Sequence, residues 1–297
     1  MAFNISVFNT RAKTAIIYAA IMLTGMFWNE WSFFILFSFV HFGCWYEYQK
    51  LSSLIDPSFH QKHFLDRIGF PLLGWGFMLF ATTGRLEVLN MPLDVLGIWT
   101  IRASLFLLPA PFLFNRQYSY KHFLRSLLGG VYISLSLALL INLRSGWIWG
   151  FANEGSSLHA ILALFSGQII VVLLIVTIWI NDTMAYIVGS LIGKTPLTAW
   201  SPKKTWEGTM GGILLSLIVI VGFFYFTSSI TIDLIILVLI ASISGTVGDL
   251  IESKFKRIAG VKDSGSFMPG HGGFLDRFDS IIIAAPCIWL VCYILYR

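Results

Sequence analysis

The chain has 297 residues, of which 57% are hydrophobic and only 12% charged, with a formal net charge of +5 and a mean hydropathy of +0.78. Soluble domains run at roughly 45–50% apolar residues, so this balance excludes a soluble globular fold, and no nucleic-acid partner is expected. The three cysteines, Cys44, Cys287 and Cys292, fall in apolar runs without CxxC spacing. They are read as small packing residues, not as a metal or redox set.

A membrane helix needs about 20 predominantly apolar residues. On that template nine spans are expected, near 14–28, 31–47, 67–83, 94–114, 124–142, 158–192, 208–226, 231–251 and 279–296. The first follows Arg11 and Lys13, as in a secretory signal. No small-residue cleavage site precedes the next apolar run, so it is expected to be a retained span. The sixth is longer than one crossing requires, which implies a break or an extension into the headgroup zone. Trp28, Trp31, Trp147 and Trp149 stand at span ends, where interfacial aromatic belts form. The expected fold is an all-α integral membrane protein, a polytopic bundle of about nine transmembrane helices. Residues 1–297 form a single membrane domain, with N-terminal helices in 1–150 and a catalytic region in 158–297.

The alternation of spans places Lys and Arg unevenly. The N-terminus and the loops after spans two, four, six and eight hold sixteen of them, from Arg11 to Arg277, while the opposite side holds Arg85, Arg144 and Arg297. By the positive-inside rule the richer side is cytoplasmic. The chain is therefore expected to be a multi-pass protein of the cell inner (cytoplasmic) membrane, N-terminus inside. Arg102 lies within the fourth span and is read as structural, snorkelling or paired with a carbonyl. Arg144 is expected to be a bystander whose replacement by Ala is nearly silent.

Three polar clusters follow in chain order. In "NDTMAYIVGSLIGK" (181–194), Asp182, Tyr186 and Gly189 share a helix face at i, i+4, i+7, and a carboxylate in a membrane span is by default a functional hypothesis. In "SPKKTWEGTMGG" (201–212), Lys203 and Lys204 suit phosphate, although paired lysines at a span end also serve simply as topology determinants. Gly208, Gly211 and Gly212 allow close helix packing. In "GTVGDLIESKFKR" (245–257), Asp249, Glu252, Ser253 and Lys256 form one polar face leaving the eighth span. "KDSGSFMPGHGGFLDRFDS" (262–280) then concentrates Lys262, His271, Asp276, Arg277 and Asp279 with glycines. The amides around Gly272 and Gly273 suit phosphate oxygens.

Carboxylates beside Lys, Arg and glycine amides point to phosphate chemistry with a hard cation, because magnesium is typically held by one or two carboxylates plus substrate phosphates. A cation-coupled transporter and a scaffold remain alternatives on these residues alone. The one-sided charge favours an enzyme, since transport routes place ionisable groups near the midplane.

The run 253–279 resembles the C-terminal signature of the phosphatidate cytidylyltransferases (CDP-diacylglycerol synthases). Ser253, Lys256, Arg257, Lys262, Asp263, Pro269, His271, Gly272, Gly273, Asp276, Arg277 and Asp279 fill its fixed positions, with Met268 where another apolar residue is usual. "ND-T-x-AY-x-x-G" and "SPKKTWEG" are similar to the family's upstream motifs. The resemblance is dense over about 181–280 and weak over the first 150 residues.

It implies transfer of CMP from CTP to phosphatidic acid, giving CDP-diacylglycerol and pyrophosphate, with one or two cations, Mg²⁺ among them. It implies Asp249 and Asp276 as metal ligands, with Asp182 and Asp279 as further ligands or orienters. Lys203, Lys204, Lys256, Arg257, Lys262 and Arg277 would neutralise phosphates. Ser201 and Ser253 would bond phosphate or cap a helix. His271 would orient a phosphate or order its loop. Loops 201–208 and 269–273 are expected to roof a polar, cytoplasm-facing cavity that opens sideways to membrane lipids. The family further implies a homodimer. A CTP-using enzyme acting on another lipid is the alternative within this class.

Overall fold

The computed structural model describes residues 5–61, 64–109, 120–146, 167–227, 232–267 and 272–296. Their architecture is all-helical apart from two small hairpins. The helices are α1 (Ile5–Phe27), α2 (Glu30–Ile55), α3 (Phe64–Phe80), α4 (Leu93–Leu107), α5 (Tyr120–Gly129), α6 (Ser136–Ser145), α7 (Gly167–Ile192), α8 (Trp206–Thr227), α9 (Ile232–Ile258) and α10 (Leu275–Tyr296). A π-helical turn, Gly130–Leu135, joins α5 to α6 as one rod. Antiparallel pairs β1 (Glu87–Val88) with β2 (Met91–Pro92), and β3 (Pro196–Thr198) with β4 (Ser201–Thr205), make the hairpins.

Every expected span coincides with one of these helical rods in its described part. Among the described residues five rods are long and apolar enough to cross a membrane: Tyr120–Ser145, Gly167–Ile192, Trp206–Phe226, Ile232–Ile258 and Leu275–Leu295. Only 17% of the α8 window is buried inside the molecule, and Leu214, Ile218, Phe223 and Phe226 stand exposed along it. An apolar surface of that extent needs an apolar surrounding, which lipid supplies for a helix of this length and hydropathy. The chain is an all-helical membrane protein. The first part of the long sixth span, 158–166, lies outside the described residues.

Packing divides the chain into two compact units, Met1–Ala138 with Ile258–Phe278, and Leu139–Arg257 with Asp279–Arg297. The motif segment after α9 thus groups with the N-terminal helices, which the sequence does not suggest.

In the first unit α2 begins at a capping box: Ser32 N donates to Asn29 Oδ1 at 2.7 Å and Asn29 N to Ser32 Oγ at 3.0 Å, which satisfies donors that a helix start leaves free. Phe33, Phe37, Cys44 and Trp45 are buried along the same helix. Trp45 Nε1 donates to Ser134 Oγ at 2.8 Å, and His41 Nε2 lies 2.9 Å from the same oxygen. Gly74 of α3 permits this meeting, because a Cβ there would sit 1.9 Å from Ser134 Oγ. Beyond α2, Asp56 pairs with Arg125 of α5 at 3.0 Å.

In the second unit α7 and α8 approach through small residues. A Cβ on Gly208 would lie 2.7 Å from Ala185 O, and one on Gly212 would lie 2.7 Å from Asn181 O. The glycine spacing anticipates this close approach. Gly248 of α9 stands so near α10 that a Cβ would lie 2.5 Å from Asp279 O. Arg144 is 2% exposed. The expectation of a silent bystander is therefore corrected, since a long cationic side chain in the interior cannot be truncated without leaving a void.

Candidate active site

The second unit contains a cavity of about 360 Å³ lined by Asn181, Asp182, Tyr186 and Gly189 of α7, Lys203, Lys204 and Thr205 of β4, and Thr246 and Asp249 of α9, among others. Three separately coded motifs meet here because the β3–β4 hairpin folds back beside the end of α7. Glu207, in the first turn of α8, accepts from Thr195 N and Lys194 N at 3.2 Å and from Thr195 Oγ1 at 2.9 Å. Those bonds tie the start of the hairpin to α8 and fix where its lysines can reach.

Lys204 Nζ forms an ion pair with Asp249, both side chains being 28% exposed. Ser253, one turn along α9, donates to the other Asp249 oxygen at 3.1 Å, so this carboxylate is oriented from two sides. On α7, Asn181 Nδ2 reaches Asp182 Oδ1 at 3.4 Å and Thr246 Oγ1 at 3.2 Å. The expected face of Asp182, Tyr186 and Gly189 does line one wall, with Lys203 exposed beside it. Asn181, Thr246 and Thr209 also belong to this lining and were not singled out from the sequence. Their signal was available in the same apolar helices, where any amide or hydroxyl needs a partner.

Other expected site residues have different surroundings. Asp279 is 9% exposed and accepts from Ser280 N at 2.6 Å. Lys256 pairs with the buried Glu252 at 2.5 Å and is not part of the cavity lining. Arg257, exposed, donates to Trp200 O at 3.4 Å. Ser201 is half-buried on β4 outside the lining. The expected phosphate-facing role of Lys256 is therefore not the geometry seen here, because a nearer carboxylate one turn away takes its charge.

In the first unit, the segment Ile258–Phe278 carries Lys262 and Arg277 exposed. Asp276 Oδ2 accepts from Gly273 N at 2.7 Å and Ser264 N at 3.0 Å, and lies 3.0 Å from Ser264 Oγ. Gly272 has φ +84, and a Cβ on it would lie 2.7 Å from that same oxygen. The Gly273 amide thus serves Asp276, where the sequence suggested a phosphate cradle. The glycines are needed for the tight return of the chain around the carboxylate. His271 lies outside the described residues.

The carboxylates bear on the metal question directly. Among the described residues no group of three or more His, Cys, Asp and Glu side chains is placed to hold an ion. Two carboxylates, Asp182 and Asp249, border the cavity of the second unit. That donor set fits a magnesium ion completed by substrate phosphates and water, and does not fit a closed protein cage.

The model of the Cytidylyltransferase family matches residues 9–295. The phosphatidate cytidylyltransferase of Staphylococcus haemolyticus (strain JCSC1435) is 46% identical over 148 residues, covering 48% of this chain and 52% of that protein. Those of Staphylococcus saprophyticus and Staphylococcus aureus (strain COL) are 42% and 40% identical, each over 148 residues with the same coverage. The chain spans about half the length of these curated relatives. The family match, by contrast, runs through nearly every helix described above, and on that extent the chain belongs to the cytidylyltransferase family.

Proposed function

We propose that this chain is a CTP:phosphatidate cytidylyltransferase of phospholipid biosynthesis. The observation that carries the reading is the cavity of α7, β4 and α9, where Asp182, Asp249, Lys203 and Lys204 meet in a membrane protein of this family. A phosphate oxygen of phosphatidate forms a bond to the α-phosphorus of CTP. The bond from that phosphorus to the bridging oxygen breaks, and pyrophosphate leaves with its electron pair. No protein nucleophile is required, because positioning and charge neutralisation carry phosphoryl transfer.

Magnesium, when bound, would supply Lewis-acid stabilisation of the phosphate charge. Asp249 is the first choice to hold it, with Asp182 beside it and Asp276 and Asp279 as further carboxylates of the motif. Ser253 keeps Asp249 turned to the cavity. Lys203 and Lys204 neutralise the triphosphate, Lys204 exchanging Asp249 for phosphate oxygen. Lys262 and Arg277 bind phosphate from the motif segment, Arg277 by its two-pronged guanidinium. The uneven Lys/Arg distribution supports a cytoplasmic-membrane location with the N-terminus and these loops facing the cytosol, where CTP is available, and membrane lipids supply the other substrate. A homodimer is carried over from the resemblance.

The test is an assay of purified protein in detergent with Mg²⁺, phosphatidate and CTP labelled at the α- or γ-phosphate. Transfer of α-label to lipid with release of pyrophosphate is expected. Transfer of γ-label would mean a lipid kinase, and no transfer to phosphatidate would overturn the assignment.

A further inference from the structure

Glu47 stands about two turns before the end of α2, in the apolar run "FGCWYEYQ", and is 3% exposed. The catalytic reading gives it no part. Within the first unit its two oxygens take three donors from the motif segment: Ser264 Oγ to Oε2 at 2.6 Å, Phe274 N to Oε1 at 2.9 Å and Leu275 N to Oε2 at 2.9 Å. The two amides open α10, where a helix has no acceptors of its own for its first N–H groups. Phe274, which precedes the helix, offers no side-chain oxygen, so a carboxylate 227 positions earlier supplies what a Ser or Asp cap ordinarily would.

The fit around it is close. A Cβ on Gly265 or Gly273 would lie 2.1 or 2.3 Å from Oε1. Ser264 links the two carboxylates, its hydroxyl lying 2.6 Å from Glu47 and 3.0 Å from Asp276, while its amide donates to Asp276. Glu47 therefore grips both the loop that encloses Asp276 and the first turn that carries Arg277.

We propose that Glu47 is a positioning residue for the cytidylyl transfer: through Ser264 and the opening amides of α10 it fixes Asp276 and Arg277 without touching substrate. The catalytic half rests on the proposed function; the anchoring half rests on this geometry. A packing role and a positioning role respond differently to substitution. Glutamine keeps the shape of Glu47 but has one acceptor oxygen. Its NH₂ group must face Phe274 N–H in one orientation, or Leu275 N–H in the other, and both are donors. Aspartate keeps two acceptor oxygens on a shorter stem.

The experiment compares wild type, Glu47→Gln and Glu47→Asp as full-length protein in detergent. Hydrogen exchange is followed in peptides covering 272–276 and 170–190, together with CMP transfer to phosphatidate. For Glu47→Gln, leaving a buried donor unpaired should raise exchange at 272–276 by about tenfold or more, with 170–190 unchanged. Its kcat should fall about tenfold or more, with KM for CTP within about threefold. Glu47→Asp should recover part of both effects. Unchanged exchange at 272–276 overturns the proposal, as does a wild-type kcat in the Gln variant. Equal acceleration of exchange in both peptides also overturns it, because that is general loss of stability. A wild type that transfers nothing to phosphatidate would sink the assigned reaction, while the exchange arm still decides whether Glu47 anchors the loop.

Discussion

Asp249 is held from two directions, by the Lys204 ammonium and by the Ser253 hydroxyl. Replacing it with Asn removes the charge that opposes Lys204 and weakens any cation at the cavity, which would be the largest local charge there. Asp249→Asn should abolish CMP transfer while the protein remains folded and membrane-inserted, whereas Arg85→Ala, at an exposed site, should be near neutral. Near-normal turnover of Asp249→Asn at low millimolar Mg²⁺ would remove Asp249 from the metal role. Arg277 tests the phosphate side. Arg277 is exposed in the free protein, and a phosphate held by its guanidinium would form a charge-assisted pair only on binding, so Arg277→Ala should lower kcat/KM by about tenfold or more. Arg277→Lys should lose less, because it keeps the charge but not the fork. Equal losses in both would assign Arg277 to helix packing.

Two of the residues legible in the sequence, Asp182 and Asp249, are charged where lipid makes charge costly. Lys203 and Lys204 were legible instead as a paired basic motif in the loop after the sixth span, and all four do line one cavity. Applied evenly, the cost of charge in lipid would also have located Glu47, in the middle of an apolar run. Spacing along a helix reports which side chains share a face, and it anticipated both the Asp182 wall and the i, i+4 polar face of α9. Partners brought by tertiary folding are not written in spacing. The Ser264–Glu47 bond joins positions 217 apart, whereas the Lys256–Glu252 pair is an i, i+4 contact that spacing does report.

At the scale of elements, the helices are specified by apolar run length, and their meeting points by small residues. Gly208 and Gly212 set the approach of α7 and α8, and thereby the position of the hairpin that carries the lysines. The corner after α2 works differently, through polar bonds outside the apolar segment. Ser58 N and Oγ donate to Asp56 Oδ1, the amide at 3.1 Å, and Arg125 Nη1 donates to Oδ2 at 3.0 Å. These bonds, the Ser58 hydroxyl first, hold the Asp56 carboxyl below its ordinary range. A carboxylate with a lowered native value contributes stability above its unfolded value of about 3.9, and that contribution disappears as pH falls through the lower native one. Asp56→Asn should therefore lower the apparent Tm slightly at neutral pH, as exposed pairs are weak. The difference from wild type should vanish in strongly acidic buffer. A difference that persisted there would show that Asp56 acts through shape and not charge.

For the whole molecule, the decisive question is which membrane face carries the chemistry. A cytidylyltransferase acting on a lipid draws one substrate from water and the other from the bilayer, so its phosphate-binding groups belong at headgroup depth on the side where CTP is found. Sixteen Lys and Arg against three, counted over alternate loops, favour the side proposed above by the positive-inside rule, and an error in span number in the middle of the chain would have mixed the two sets. The described helices supply a rod at each expected position. The prediction uses single cysteines at Val88, Tyr120, Lys203 and Ser266, all exposed, in a background lacking Cys44, Cys287 and Cys292. In sealed right-side-out vesicles a membrane-impermeant maleimide should label position 88 directly. Positions 120, 203 and 266 should react only after the membrane is opened. Labelling of 203 and 266 from opposite sides would remove the lysine hairpin or the Asp276 loop from the reaction, and with it the assignment of both to one substrate pair.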